Sequence, residues 1–167
     1  MNSSLLLVSR RDALRFTGLA LVAGVASCAT APKQSSTPSS GDDQTAAALP
    51  LVNSLRAKNG LPPLSVDPAA TDAALFQAKR MASAGKMKHL MGLTDSFTTR
   101  VKASGVRLPA AENIAAGQQS VEAVVQAWIN SQHHLENMLG RYNGLGVAVA
   151  HNTASKNVPY WAMVLSA

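Results

Sequence analysis

The chain has 167 residues, of which 47% are hydrophobic and 14% charged, and its formal net charge is +6. This length and apolar content are sufficient for one folded domain with a core of its own. The single cysteine excludes a fold stapled by intrachain disulfides. Aromatic residues are not interleaved with the basic residues in a way that suggests base stacking, so we expect no nucleic-acid partner.

The first 27 residues are typical of an export signal. Arg10 and Arg11 approximate the twin-arginine pattern, and residues 16–31 contain no charged side chain. This apolar run is shorter than the ~20 residues that a membrane span needs. It contains Val25-Ala26-Ser27-Cys28, which is similar to a bacterial lipobox and predicts that Cys28 carries lipid. The alternatives are an ordinary signal peptide with an incidental cysteine, or an uncleaved anchor.

Residues 28–45 are predicted to form the lipidated N-terminus and a flexible tether. The segment 32–45, PKQSSTPSSGDDQT, is rich in Ser and Pro and has almost no hydrophobic residues. Such a segment buries too little apolar surface to fold. We therefore expect an exported protein, lipid-anchored through Cys28 in the bacterial cell envelope, whose folded domain spans residues 46–167.

Helix signals follow in chain order. Thr45 is predicted to cap a helix that runs to Asn59, and Asp67-Pro68 opens a second helix that ends at Gly85. A short helix is expected over residues 96–104. Ser120 is a favourable N-cap for a further helix. The apolar positions of that helix have core-facing spacing: Val121, Val124, Val125, Trp128 and Ile129.

Strand signals are concentrated near the C-terminus. Residues 145–149 and 161–165 are rich in β-forming side chains and are separated by turn-forming residues, which predicts an antiparallel hairpin. Residues 112–115 are also typical of a short extended segment. Helices on both sides of a small sheet predict an α+β fold, a three-layer α-β-α sandwich with a largely antiparallel sheet.

Five short motifs occur in a recognisable order. They are Asn53, Arg56, Gly60 and Leu61; the isolated His89; residues 112–115; Trp128, Asn130, Ser131, His134, Asn137 and Leu139; and residues 144–148. In these motifs the chain resembles the bacterial secreted branch of the CAP (SCP) superfamily of cysteine-rich secretory proteins, antigen 5 and pathogenesis-related 1. The match spans roughly residues 46–167, and it implies the same sandwich fold.

The resemblance also implies a cleft. In the family, two histidines and one or two acids converge, and by motif these are His89, His134 and Glu112, with Asn113 and Ser131 beside them. The two histidines are then candidate ligands for weakly bound zinc or another divalent cation. Many eukaryotic members carry a second acid at the position of Ser131, so this site has one proton acceptor fewer.

Two structural alternatives stay open for these residues. A lone loop histidine such as His89 is more often a surface or hydrogen-bonded residue than a metal ligand. Glu112 could serve structure alone, by satisfying backbone N–H groups or by pairing with His134, because a buried carboxylate needs a partner.

The preferred functional hypothesis is a monomeric binding module for a lipid, an envelope polymer or a surface partner. Residues 80–107 carry six Lys and Arg against one acid, Asp95, which favours anionic lipids or acidic polymers. The alternative for this stretch is an ordinary solvated surface. The alternative function is a metal-dependent hydrolase or peptidase that uses the His89, His134 and Glu112 cleft, with Glu112 as the catalytic base. A structural envelope protein with an inert cleft is the third hypothesis.

Overall fold

The computed structural model describes residues 39–167. The predicted export signal, Cys28 and most of the predicted tether lie outside the described residues. The helices of the described part are α1 (Thr45–Lys58), α2 (Pro68–Ala84), α3 (Phe97–Ala103), α4 (Val121–Ile129) and α5 (Gln132–Met138). The strands are β1 (Ser40–Asp43), β2 (Ser65–Val66), β3 (Ala110–Ala116), β4 (Gly144–His151) and β5 (Tyr160–Ser166). None of the helices in residues 39–167 is long and apolar enough to cross a membrane.

The strands form one sheet in the order β1-β4-β5-β3, and every neighbouring pair in this order is antiparallel. The predicted hairpin is β4–β5, with Leu145 opposite Leu165 and Val149 opposite Trp161. The short strand β2 adds a parallel pairing at the start of β4. The sheet is therefore largely antiparallel, as the sequence predicts, and β3 lies at the end of this order opposite β1.

Alternation along the strands directs side chains to two separate cores. Val147, Val149 and Trp161 pack with α1 and α4 in a core of bulky side chains. On the opposite face, Ala148 and Ala150 pack with the alanines of α2. Small residues on both elements let α2 approach the sheet closely. The three-layer α-β-α sandwich is confirmed.

Gly146 shows how close this approach is. A Cβ atom at Gly146 would lie 2.1 Å from Thr71 N and 2.2 Å from the carbonyl carbon of Ala70 in α2. Real atoms do not approach this closely, so only glycine fits between β4 and α2.

Most predicted helix boundaries are confirmed by their capping contacts. The side chain of Asp67 accepts a hydrogen bond from Ala69 N at 2.9 Å, and Gly85 ends α2 with φ +61°. Ser120 accepts one from Ala123 N at 3.2 Å. The prediction for Thr45 was wrong, because it is the first residue of α1 rather than its cap. Its buried hydroxyl accepts a hydrogen bond from Val147 N at 2.9 Å instead.

The predicted start of the folded domain also needs correction. Residues 40–43, assigned to the tether, form β1 and pair with residues 148–151 of β4. The polar sequence SGDD carries little intrinsic strand preference. Its backbone nevertheless supplies partners for the outer edge of β4, which would otherwise expose unpaired N–H and C=O groups. The fold thus includes residues that composition alone assigns to a linker.

Candidate functional site

The candidate site lies at β3, the strand at the end of the sheet opposite β1. Successive residues of a strand point to opposite faces. Glu112 contacts α3 and the loop before it, whereas Asn113 contacts α5 on the other face. The strand therefore places the Glu112 and Asn113 side chains on opposite faces of the sheet.

Glu112 is a buried acid with two cationic or polar partners. Its side chain is only 3% exposed. Arg100 Nη1 donates to Oε2 at 2.8 Å and Arg100 Nη2 donates to Oε1 at 3.3 Å. His89 Nδ1 lies 2.9 Å from Oε1, where it acts as donor to the carboxylate. Both oxygens of Glu112 are thus engaged by protein groups. This arrangement corrects the alternative that paired Glu112 with His134.

Arg100 connects Glu112 to a second acid, Asp95, and through it to Arg80. Its side chain is 5% exposed, and its Nε makes no hydrogen bond, although Asp95 Oδ1 lies 3.9 Å away. Asp95 in turn pairs with Arg80 and accepts a hydrogen bond from Met91 N at 2.8 Å. The Arg80 and Met91 contacts hold the pKa of Asp95 below its ordinary value. Two arginines and two carboxylates therefore neutralise each other beneath the site.

His89 combines a fixed backbone with an exposed ring. Its carbonyl oxygen accepts hydrogen bonds from Gln77 Nε2 at 3.2 Å and from Arg100 Nη2 at 3.1 Å. Its side chain is 47% exposed. Because Nδ1 faces Glu112, the other ring nitrogen, Nε2, is left for solvent or a ligand. A carboxylate that orients an imidazole in this way is a common arrangement behind metal-binding and basic histidines.

The second candidate histidine is positioned by amide groups. Asn113 Nδ2 donates to the carbonyl oxygen of His134 at 3.0 Å, and Asn113 Oδ1 accepts from Asn137 Nδ2 at 2.8 Å. Asn113 is fully buried. It therefore fixes α5 against β3, beside the candidate cleft.

The His134 imidazole is in an environment that disfavours its charged form. Burial lowers the pKa of His134, and the nearby charges of His89 and His133 lower it further. The ring of His133 lies 6.3 Å from that of His134, between centroids, and His133 is exposed. This environment favours the neutral form of the His134 imidazole.

Ser131 occupies the position at which the resemblance leads one to look for a second acid. It is the N-cap residue of α5 and is half-buried, but its side chain makes no capping hydrogen bond. The hydroxyl supplies neither charge nor a fixed proton acceptor at this point.

The donor set fits a divalent cation only in part. Within residues 39–167, no three His, Cys, Asp or Glu side chains lie close enough to hold a metal together. The two imidazoles of His89 and His134 are suitable ligands, and Glu112 is placed to orient one of them. Any cation held here would take its remaining ligands from water or from a bound molecule. Zinc binding therefore stays a prediction.

Sequence reasoning missed Arg100 as part of the site and counted it among surface cations. The usable signal was the requirement that a buried Glu112 have a partner. The choice of Arg100 depends on how α3 packs against β3, which residue spacing alone does not specify.

Comparisons with known proteins agree with this architecture. The family model for CAP, the cysteine-rich secretory protein family, matches residues 49–165. The chain belongs to the CAP family. Over 124 residues it is 34% identical to the uncharacterized protein YkwD of Bacillus subtilis (strain 168). That alignment covers 71% of this chain and 48% of YkwD, so the CAP chain spans about half the length of this curated relative.

Two solved structures are similar in fold. An extracellular protein containing a SCP domain, from Bacillus anthracis str. Ames, superposes with a TM-score of 0.63 at 26% identity, covering 72% of this chain and 39% of that one. An outer surface protein from Borrelia burgdorferi gives a TM-score of 0.62 at 20% identity, covering 76% of this chain and 98% of that one. The resemblance identified from the motifs is confirmed, and the solved neighbours named here are extracellular or surface proteins.

Proposed function

We propose that this CAP-domain chain is an exported binding module of the bacterial cell envelope, lipid-anchored through Cys28, that recognises an anionic lipid or an acidic envelope polymer. The observation that carries the proposal is the state of Glu112. Both of its oxygens accept hydrogen bonds from Arg100 and one also contacts His89. A general base must be free to take a proton from a substrate or water. Glu112 is instead the anchor of a buried ion pair.

The cations around the site support an anionic ligand. Of the six between residues 80 and 107, Arg80 and Arg100 are paired internally with acids. The other four are exposed, and none joins an ion pair within the described chain: Lys86, Lys88, Lys102 and Arg107. These side chains provide positive charge that the fold itself does not neutralise.

The rival function, a hydrolase, has one favourable feature. The Glu112–His89 pair presents Nε2 of an oriented imidazole to solvent, so the base in such an enzyme would be His89 rather than Glu112. His89→Gln separates the two functions, because it removes the base while the Arg100–Glu112 pair stays in place. A hydrolase would lose about 10²–10⁴-fold in turnover.

The test compares His89→Gln with a variant carrying both Lys86→Glu and Lys88→Glu. Binding to anionic lipid vesicles and to acidic cell-wall polymer is measured at two salt concentrations, alongside turnover of a peptide and ester library. The lysine reversals are expected to weaken binding at low salt, and His89→Gln to leave it nearly unchanged. Lys58→Glu, on the opposite helical layer, is the matched control. Turnover that His89→Gln abolishes would overturn the binding-module proposal.

A further inference from the structure

Exposed apolar side chains are concentrated in the loop that carries His89. Three of the large hydrophobic residues that residues 39–167 expose lie within this loop: Met87 is 52% exposed, Leu90 49% and Leu93 fully. Phe76, on the adjoining face of α2, is 53% exposed. Scattered exposed hydrophobic residues are ordinary, but a cluster of them marks an interaction surface. We call residues 86–93 the apolar loop.

The apolar loop is held in place by its backbone. Gln77 Nε2 donates to the carbonyl oxygens of Lys88 at 2.7 Å and His89 at 3.2 Å. Arg100 Nη2 donates to the same His89 oxygen, and Asp95 accepts from Met91 N. Gln77 is fully buried and Arg100 nearly so. Buried side chains thus fix the main chain of the loop while its apolar side chains face outward.

Charge alternates with hydrophobicity in the same segment. Lys86 and Lys88 flank Met87, and all three are exposed. A shallow groove beside the loop is lined by Phe76, Met91 and the α2 residues Lys79, Arg80, Ser83 and Ala84. An apolar tip with a cationic base matches a bilayer interface, where acyl chains lie beneath anionic headgroups.

We propose that the apolar loop inserts into the interfacial region of an anionic phospholipid bilayer, with Met87, Leu90 and Leu93 among the acyl chains and Lys86 and Lys88 at the phosphates. The inference rests on the proposed binding function and narrows its ligand. An acidic polymer would account for the lysines, but it offers nothing to three exposed apolar side chains. The loop would place the His89 ring at the level of the lipid headgroups.

The test uses the full chain with Cys28→Ser, so that an introduced cysteine is the only thiol. Leu93→Cys carries an environment-sensitive nitrobenzoxadiazole label. Ala57→Cys, exposed on α1 at the opposite sheet face, carries the same label as control. Vesicles contain phosphatidylglycerol and phosphatidylcholine, or phosphatidylcholine alone, with quenchers on the acyl chains.

We expect acyl-chain quenching at position 93 on anionic vesicles and none at position 57. Met87→Ser with Leu90→Ser should lower the ratio of inserted to free loop at least tenfold, and Lys86→Gln with Lys88→Gln about fivefold per lysine. Val66→Ser, a comparably exposed apolar residue outside the loop, should change nothing.

Two results would overturn the inference. One is a label at position 93 that stays unquenched while the wild-type chain still binds acidic polymer, which would leave the proposed function standing and identify the polymer as ligand. The other is equal quenching at positions 93 and 57. If neither vesicles nor polymer bind the wild-type chain, the proposed function itself fails.

Discussion

Two buried arginines in the described fold are held in opposite ways. Arg56, 1% exposed, donates only to backbone carbonyl oxygens: Pro62, Met138 and Gly140 at 2.9 Å each, and Tyr142 at 3.4 Å. Arg100, 6% exposed, faces the carboxylates of Glu112 and Asp95. Burial lowers the pKa of Arg56 below its ordinary value, because no acid in the described part of the chain compensates its charge.

The two arginine networks differ in whether they are connected to an exposed side chain. Carbonyl oxygens do not titrate, so the Arg56 network fixes the chain after α5 in one state at any moderate pH. The Arg100 network contains Glu112 and, through it, His89, whose exposed ring reaches solvent. A ligand that binds the His89 ring can therefore perturb the buried charges of Glu112 and Arg100.

Arg56→Ala should have the largest effect. It removes a guanidinium that satisfies four carbonyl oxygens, and we expect a loss of about 4 kcal/mol in the free energy of unfolding. Urea melts measure this loss. Arg56→Lys keeps the charge but not the planar fork, so it should recover only a minor part. Full recovery by lysine would show that charge, rather than fork geometry, is what the network needs.

Glu112→Gln should rank second, with a loss of about 3 kcal/mol, because it leaves Arg100 buried without its main partner. Adding Arg100→Met should restore part of that stability, since the unpaired charge is then gone. The measurement is a double-mutant cycle by urea denaturation. Additive losses from the two single substitutions would mean that the pair is not coupled, which would contradict the geometry described above.

Zinc should have a smaller effect. It should act through His89 and His134, which lie near the Arg100 network, and not through the Arg56 network. At about ten times its dissociation constant, it should stabilise the domain by about 1.4 kcal/mol. The effect should fade as pH falls, because protons compete with the metal for the imidazole nitrogens. The lowered pKa of His134 moves this loss to lower pH at that ligand. Melting temperatures with and without zinc, for wild type, His89→Ala and His134→Ala, are the check. A zinc effect that survives both substitutions would place the metal elsewhere.

The pH response of His134 should be the smallest effect. Its folded-state pKa is lowered, so the folded form binds a proton less readily than the unfolded chain. Stability from this group is therefore complete above the unfolded pKa of about 6.5 and is lost as pH falls from there through the lower folded pKa. The difference in unfolding free energy between wild type and His134→Gln should change across this window. If the difference in unfolding free energy between wild type and His134→Gln does not depend on pH, the pKa of His134 is not lowered by folding.

Sequence patterns correctly predicted the structural features that are determined by residues close together in the chain. The Asp67 cap, the Gly85 termination and the apolar stripe of α4 are local signals, and each appears as predicted. The β4–β5 hairpin is local in the same sense.

Features that depend on partners far apart in sequence were not predictable in the same way. The pairing of β1 with β4 joins segments more than 100 residues apart, and polar side chains give no sign of it. The Arg100–Glu112 pair depends on how α3 packs against β3. A hydrogen-bonding role for Asn113 beside the site was expected, but the sequence does not indicate that its partners lie on α5.

The position of β1 has a consequence for how the domain would meet a membrane. Because β1 begins at Ser40, Cys28 precedes this strand by only 12 residues. A chain of that length reaches at most about 40 Å when fully extended. If Cys28 carries lipid as proposed, β1 stays within about 40 Å of the bilayer surface. The effective concentration of the bilayer at the domain is then on the order of millimolar. A loop with feeble affinity for free vesicles would then be docked for much of the time.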